Sequence, residues 1–152
     1  MTETGRRETS AASRQVRLPL CERSTDVVFC CTAATGPVVR RARLAPGTHV
    51  SSVGGSHGPE LDADTVREGT PFAERPAAAS PPPAGAHELR HLPPGRPVVL
   101  LGSVLSGGHP GRGDSAGLTV LKSTGHAALD VAAADVVHAV ARREGRGTTV
   151  DL

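Results

Sequence analysis

Short apolar runs that end in threonine or glycine constrain the fold of this chain most strongly. Residues 26–32 read DVVFCCT, a continuous and partly β-branched run. A run of this length without polar alternation is typical of a strand buried on both faces, as in a parallel sheet. A second run, THVSSV at 48–53, leads directly into Gly54, and a third, LTVL, covers 118–121. The sequence therefore predicts an α/β fold with parallel strands.

Helical segments are predicted between and after these runs. Residues 38–44 read as a short helix or turn, and residues 61–68 as a short helix with acidic residues early. The strongest helical pattern covers 126–144, where Gly145 is a stop signal. Apolar residues at i, i+4, i+7 and i+11 predict one face of that helix, formed by Leu129, Ala133, Val136 and Val140.

Residues 70–97 carry eight prolines, including the runs at 81–83 and 93–94. Because proline lacks a backbone donor, this density predicts neither a helix nor a central strand there. The segment is expected to be an extended surface insertion, with a strand remnant at 72–74. A proline-rich ligand for a partner domain is the alternative interpretation.

Composition argues against several classes of function. Lys and Arg number 17 against 15 Asp and Glu, and the chain has two Phe, no Trp and no Tyr. A nucleic-acid partner is therefore not expected, because such binding needs a basic face or aromatic platforms. No apolar run approaches the roughly 20 residues of a membrane helix, and no secretory signal is evident. We expect a cytoplasmic protein without a membrane partner.

Metal and thiol chemistry are not expected either. The three cysteines include the adjacent pair Cys30 and Cys31, with no CxxC motif, which favours reduced thiols. Cys21 and Cys30 do not have the spacing of a zinc site, so no metal ligand is predicted. In doubly wound sheets, however, ligands bind where strands end. Residues 32–35 and 54–57 therefore predict one edge of a binding site.

Six sequence blocks, in a fixed order, carry a resemblance to a known family. They are DVVFCCTAATGPVV (26–39), APGTHVSSVGGSH (45–57), ELDADTV (60–66), GSVLSGG (102–108), LTVLKSTGHAALDVAAADVVHAVA (118–141) and GTTVDL (147–152). The most specific block is the Lys-Ser-Thr-Gly turn followed by an Ala-rich helix. Together the blocks resemble the ornithine cyclodeaminase/mu-crystallin family.

The resemblance implies an NAD- or NADP-dependent reaction on a small amino or imino acid. It implies either cyclodeamination or redox chemistry, with the nicotinamide exchanging hydride. The cofactor-binding positions that it implies are Thr32, Val53, Gly54, Lys122, Ser123 and Gly125. Ser56 occupies the catalytic position at which the ornithine lyases of the family carry an aspartate. Because a serine hydroxyl does not transfer a proton as a carboxylate does, this departure argues against ornithine deamination.

Residues 1–24 are polar and show no sustained periodicity, so we expect a flexible arm there. The resemblance implies that residues 25–125 form a partial NAD(P)-binding domain with the insertion at 70–97. Residues 126–152 belong to the substrate and dimerisation region. The implied fold is a partial Rossmann-like, doubly wound sheet plus a C-terminal Ala-rich helix and a terminal strand at 147–152. The C-terminal helix implies a homodimer.

The family's glycine fingerprint and its substrate-binding Arg and Lys residues have no counterpart in these blocks. The resemblance therefore implies a truncated member with weak or no activity. Two alternatives remain open at this point. One is a non-catalytic dimerisation or interaction protein derived from the family. The other is a ketimine reductase or amino-acid dehydrogenase that another chain completes.

Overall fold

Five short parallel strands form a single sheet in the computed structural model, which describes residues 25–54, 58–81 and 85–150. The strand order is β1-β2-β5-β3-β4, and every pair is parallel. The strands are β1 (Val27–Cys30), β2 (His49–Ser52), β3 (Thr70–Ala73), β4 (Val99–Leu100) and β5 (Thr119–Lys122). This architecture confirms the predicted α/β class and its parallel sheet. The predicted arm at 1–24 lies outside the described residues.

The last of the described strands lies at the centre of the sheet. β5 enters between β2 and β3, so that Val120 stands opposite Val50 on one side and Pro71 on the other. Val50 and Val120 are almost fully buried, together with Val39, Leu61 and Val66. The core is thus built from small aliphatic side chains that pack on the central strands.

The prediction of no central strand within 70–97 is wrong, because β3 pairs with strands on both sides. Thr70 donates its backbone N–H to Leu118 O at 2.8 Å, on the β5 side. Successive residues of a parallel strand turn their backbone groups to opposite neighbours, so the Pro71 nitrogen faces the β4 side. There β4 begins only opposite Phe72. Proline is tolerated because no ladder partner stands beside its missing N–H.

The first strand is buried on one face rather than on both, which corrects the expectation for 26–32. Cys30 points into the core, whereas Val27 and Phe29 are 43% and 72% exposed. β1 is an edge strand that pairs only with β2 among the described strands. No described element covers its outer face, so the apolar side chains of that face remain at the surface.

The helices predicted at 61–68 and 126–144 are confirmed, and the short helix or turn predicted at 38–44 is a 3-10 turn. A short helix at Leu101–Leu105 and two further 3-10 turns were not predicted. Asp62 caps α1 by accepting the Thr65 N–H at 2.9 Å. Gly69 ends this helix where an added Cβ would lie 2.6 Å from the Val120 side chain, so only glycine allows the close passage into β3. The helices are α1 (Ala63–Glu68), α2 (Leu101–Leu105) and α3 (Ala127–Arg143), and the 3-10 turns are Arg41–Arg43, Pro76–Ala79 and Glu88–His91.

The longest helix has no buried residue in the described structure. Leu129 and Val136 of its predicted apolar face are 50% and 63% exposed. The predicted terminal strand does not form over residues 147–150, which lie outside every strand. Gly145 and Gly147 adopt φ values of 62° and 94° there, which turn the chain away from extended geometry. Among the described helices, none is both long and apolar enough to cross a membrane.

Candidate functional site

Three strand ends bring the predicted cofactor-binding residues to the same edge of the sheet. Thr32 follows β1, Val53 and Gly54 follow β2, and Lys122 is the last residue of β5. Ser123 joins them by donating its N–H to Ser52 O at 3.0 Å. Gly125 follows two residues later, and the predicted catalytic residue Ser56 lies outside the described part of the chain.

The Glu60 carboxylate ties the ends of β1 and β2 together. Its Oε1 accepts both the backbone N–H and the hydroxyl of Thr32, at 2.6 and 2.7 Å. Its Oε2 accepts the Ser52 hydroxyl at 2.6 Å and the Gly54 N–H at 3.0 Å. Four donors from two strands thus converge on one buried side chain. Both strand ends are held by a charge-assisted network, the strong class of hydrogen bond.

These contacts decide the protonation state of Glu60. Burial alone raises the pKa of this carboxyl, but the hydrogen bonds from Ser52, Thr32 and Gly54 outweigh it. The net pKa is lowered from its usual value, because hydrogen bonds to a carboxylate favour the charged form. Glu60 is therefore an anion, and it occupies the backbone N–H groups of Thr32 and Gly54.

No side chain fits at position 54. A Cβ on Gly54 would lie 2.3 Å from Glu60 Oε1 and 2.4 Å from Thr32 O. The turn after β2 therefore packs directly against the end of β1. A glycine here is a requirement of the close approach.

The Lys122 ammonium lies inside the protein beneath this edge. Its Nζ donates to Ser52 Oγ at 2.8 Å, to Gly54 O at 2.6 Å and to Glu88 Oε1 at 3.3 Å. These acceptors match the three donors that an ammonium has. The Lys122 side chain is 1% exposed, so its role in the site is to hold Ser52 and Gly54 in place.

Glu88 connects the proline-rich segment to the same network. Its Oε1 also accepts the Glu60 backbone N–H at 2.8 Å, whereas its Oε2 is buried without a hydrogen-bond partner. The Lys122 ammonium therefore contacts the Glu88 carboxyl directly and reaches the Glu60 carboxylate through the Ser52 hydroxyl. The 3-10 turn at Glu88–His91 is held beneath the edge by this side chain and by Leu89, which is buried in the core.

A third carboxyl group, that of Glu74, fixes the turn that follows β5. Glu74, directly after β3, accepts the Thr124 N–H and hydroxyl on its Oε1, at 2.7 and 3.1 Å. Arg75 donates from Nη2 to the same Thr124 hydroxyl at 2.9 Å. Gly125 has a φ of 75°, and Gly125 N donates to Ser123 Oγ at 3.2 Å. The Lys-Ser-Thr-Gly turn is thus held rigidly by the neighbouring strand.

Sequence reasoning missed the acidic residues Glu60, Glu74 and Glu88. Glu60 stood in a quoted block without a role, and Glu88 stood in a segment interpreted as an insertion. The sequence did hold a signal for two of them, because Glu74 directly follows an apolar pair and Glu88 follows a stretch of alanines and prolines. Buried charges are almost always paired, but the partner Lys122 is 34 residues from Glu88.

A histidine lies at the opposite end of the sheet, where β2 begins. His49 Nδ1 is 2.8 Å from Thr119 Oγ1. Burial and then the nearby Arg112 charge lower the pKa of His49. The ring is therefore neutral and structural. Among the described residues, no group of three or more acidic, His or Cys side chains could hold a metal ion.

Comparison with known proteins gives a family and a curated relative. The sequence profile of the "Ornithine cyclodeaminase/mu-crystallin family" matches residues 15–145. Protein SAR DEFICIENT 4 of Arabidopsis thaliana is 32% identical over 117 residues, which is 74% of this chain and 36% of that protein.

Solved structures share the fold. The Δ(1)-pyrroline-2-carboxylate reductase of Thermococcus litoralis, in complex with NADH and L-proline, superposes with a TM-score of 0.68 at 26% identity. That match covers 85% of this chain and 42% of the reductase. The iminosuccinate reductase of Paracoccus denitrificans, in complex with NAD+, gives 0.69 at 26% identity, over 90% and 43% of the two chains.

The chain spans about two fifths of the length of these proteins. The family profile nevertheless covers most of the chain. The fold built on this parallel sheet is shared with the structures above. The chain belongs to the ornithine cyclodeaminase/mu-crystallin family.

Proposed function

We propose that this chain forms the nicotinamide side of an NAD(P)-dependent oxidoreductase that acts on a small amino or imino acid. The observation that carries the proposal is the convergence of Thr32, Gly54 and Lys122 at one sheet edge. Strand ends of a doubly wound sheet are where such folds bind ligands. Glu60 and Lys122 hold this edge in one conformation before any ligand arrives.

The chemistry of the edge fits the ring of the cofactor rather than its phosphates. Phosphate groups need free N–H groups, typically at a helix N-terminus. Glu60 already fills the N–H groups of Thr32 and Gly54. Asp62 caps α1, and the His126 ring caps α3. The backbone N–H groups of Thr32, Gly54, Thr65 and Ala128 are therefore already engaged and do not bind the pyrophosphate.

A bound nicotinamide would supply or accept the hydride, and the residues of the chain would position it. Gly54 lets the turn after β2 approach the end of β1, and the Ser123–Gly125 turn borders the same edge. Ser56, at the position of the lyase aspartate, is proposed to have a hydrogen-bonding role. A neutral hydroxyl there favours redox chemistry over cyclodeamination.

The substrate class follows from the solved relatives. Both reductases described above carry in their names an imine-type substrate. We infer the same kind of reaction for this chain, reduction of a C=N bond in a small imino acid, or its reverse. The hydride goes to carbon and a proton to nitrogen. The cofactor is NAD or NADP, and the compartment is the cytoplasm.

A second candidate role is that of a dimerisation or interaction protein, with or without catalysis. It rests on α3, whose 17 residues are all at least partly exposed. An apolar helix face of this kind is typical of an interaction surface. A second copy of this chain is the proposed occupant, and the resulting homodimer is compatible with the enzymatic proposal. Completion by another chain is the alternative.

The test is a titration of NADH and NADPH into the purified chain, followed by nicotinamide fluorescence. The chain has no Trp or Tyr, so protein emission does not interfere. A saturable enhancement at roughly micromolar cofactor, the low end of usual substrate affinities, supports the enzymatic proposal. No change up to roughly millimolar cofactor contradicts it and leaves the interaction role.

A further inference from the structure

Glu74 has one carboxylate oxygen that the described structure leaves without a partner. We propose that Glu74 Oε2 accepts a hydrogen bond from the carboxamide N–H of a bound nicotinamide cofactor. This inference rests on the proposed function, and it assigns the cofactor contact to a residue outside the predicted set. Glu74 would then select the carboxamide and fix the orientation of the ring.

The two oxygens of Glu74 have different environments. Oε1 accepts two hydrogen bonds from Thr124, at 2.7 and 3.1 Å. Oε2 is buried and has no hydrogen-bond partner. A buried acceptor without a donor is unfavourable. A ligand that donates an N–H to this oxygen therefore removes that penalty and forms a hydrogen bond to a charged group. Since Oε1 is fixed by the backbone of the turn, Oε2 is fixed in place as well.

The same turn is open to solvent at Gly125. A Cβ added at Gly125, the residue after Thr124, would meet no atom within 4 Å. Gly125 itself is exposed, and Glu74 is half-buried. The Glu74 carboxylate, through Oε1, and the exposed Gly125 thus both adjoin Thr124. Arg75 completes the support by its bond to the Thr124 hydroxyl.

The chemistry of Oε2 calls for a donor on nitrogen. Two sources of such a donor would be present in a working site, the cofactor carboxamide and the amine of the substrate. The carboxamide fits better, because β3 and β5 are adjacent strands and place Glu74 beside the Ser123–Gly125 turn, which the proposed function assigns to the nicotinamide.

The experiment compares NAD+ with its 3-acetylpyridine analogue, in which a methyl group replaces the carboxamide nitrogen. Dissociation constants are measured by calorimetry on the full chain without an amino acid present. One hydrogen bond to a charged acceptor predicts that the unmodified chain binds NAD+ about tenfold more tightly than the analogue. Glu74→Gln keeps an oxygen for Thr124 but presents an amide donor in place of Oε2. This variant is expected to bind the two dinucleotides within about twofold of each other.

Glu68→Gln is the matched control, because Glu68 pairs with Arg41 at the surface, away from the strand ends. It should keep the tenfold preference. The inference is overturned if the unmodified chain binds NAD+ and the analogue equally well. It is also overturned if Glu74→Gln keeps the tenfold preference for NAD+. In a separate titration with a small amino acid, a Glu74→Gln variant that keeps the dinucleotide preference but loses amino-acid binding also overturns it, in favour of the substrate amine. If the unmodified chain binds neither dinucleotide, the proposed function fails together with the inference. The comparison in the unmodified chain needs no variant to fold.

Discussion

Lys122 and Glu88 form an ion pair with an N–O distance of 3.3 Å, and both side chains are only 1% exposed. Lys122 ends the central strand, whereas Glu88 lies in the proline-rich segment. The pair therefore joins two parts of the chain that have no local reason to meet. Its removal tests whether the network beneath the strand ends maintains the fold.

Lys122→Met is expected to lower the free energy of unfolding by about 3–5 kcal/mol, because it leaves a buried carboxylate without its counter-charge. Urea denaturation followed by circular dichroism measures the loss. Adding Glu88→Leu to this variant removes the orphaned charge and should restore part of the stability. A double variant no more stable than Lys122→Met alone would contradict this account.

Glu60→Gln is expected to destabilise the protein by about 2–4 kcal/mol, because the amide nitrogen replaces an acceptor that faces two donors. The measurement is again the free energy of unfolding in urea. Glu68→Gln, which breaks the exposed pair with Arg41, should cost less than about 1 kcal/mol. Equal losses of unfolding free energy in the two variants would show that the buried Glu60 network stabilises the protein no more than the exposed Arg41–Glu68 pair does.

Acid should weaken the protein through Glu60. The pKa of this carboxyl is lowered in the folded state, so its contribution is fully present above the unfolded value of about 4.5. Between that pH and the lower folded pKa, the unfolded state binds more protons, and stability falls as the pH decreases. Denaturation from pH 7 to pH 3 should show a shallower fall in Glu60→Gln than in the unmodified chain. Parallel pH profiles would be the contrary result.

Gly54→Ala should damage the edge, because its Cβ would overlap Glu60 Oε1 and Thr32 O. We expect a loss of about 1–3 kcal/mol, the usual cost of overpacking, and weaker NADH binding in the fluorescence titration. Gly36→Ala is the control, since an added Cβ there meets no atom within 4 Å. A Gly54→Ala chain that melts at the temperature of Gly36→Ala would argue against a close approach at this turn.

Self-association through α3 is expected from its exposed valines. Val136 and Val137 are 63% and 68% exposed, and burying them in a second copy is favourable by roughly 25 cal/mol per Å². Sedimentation velocity should show a concentration-dependent dimer that the double change Val136→Glu and Val137→Glu dissociates. His138→Glu on the same helix adds charge without removing an apolar group and should matter less. An unmodified chain that stays monomeric at about 100 μM, a concentration well above the dissociation constant of a stable dimer, would refute this prediction.

Much of the fold was predictable, because the signals are local. The runs at 48–53 and 118–121 correspond to β2 and β5, and the segment at 61–68 to α1. Each depends on a few consecutive residues, such as Asp62 at the cap of α1. The burial of β1 was overestimated, since an apolar run does not reveal which neighbours will cover it.

The network beneath the strand ends was not predictable from the sequence. Glu60 and Thr32 are 28 residues apart, and Lys122 and Gly54 are 68 apart. These pairs meet only because β5 enters the centre of the sheet, which no local pattern indicates. The position of Pro71 in β3 was unpredictable as well. A strand tolerates proline there only because β4 begins opposite the next residue, Phe72.

The central position of β5 has a consequence for the order in which the protein can fold. As the chain leaves the ribosome, β1 can pair with β2, and β3 can pair with β4. These two pairs of strands cannot join into one sheet until β5, which ends at residue 122, has emerged. Most of the pairing is therefore of high contact order, which slows folding. Until then, both flanks of the gap present unpaired backbone edges, the kind of surface on which chaperones act and aggregates grow.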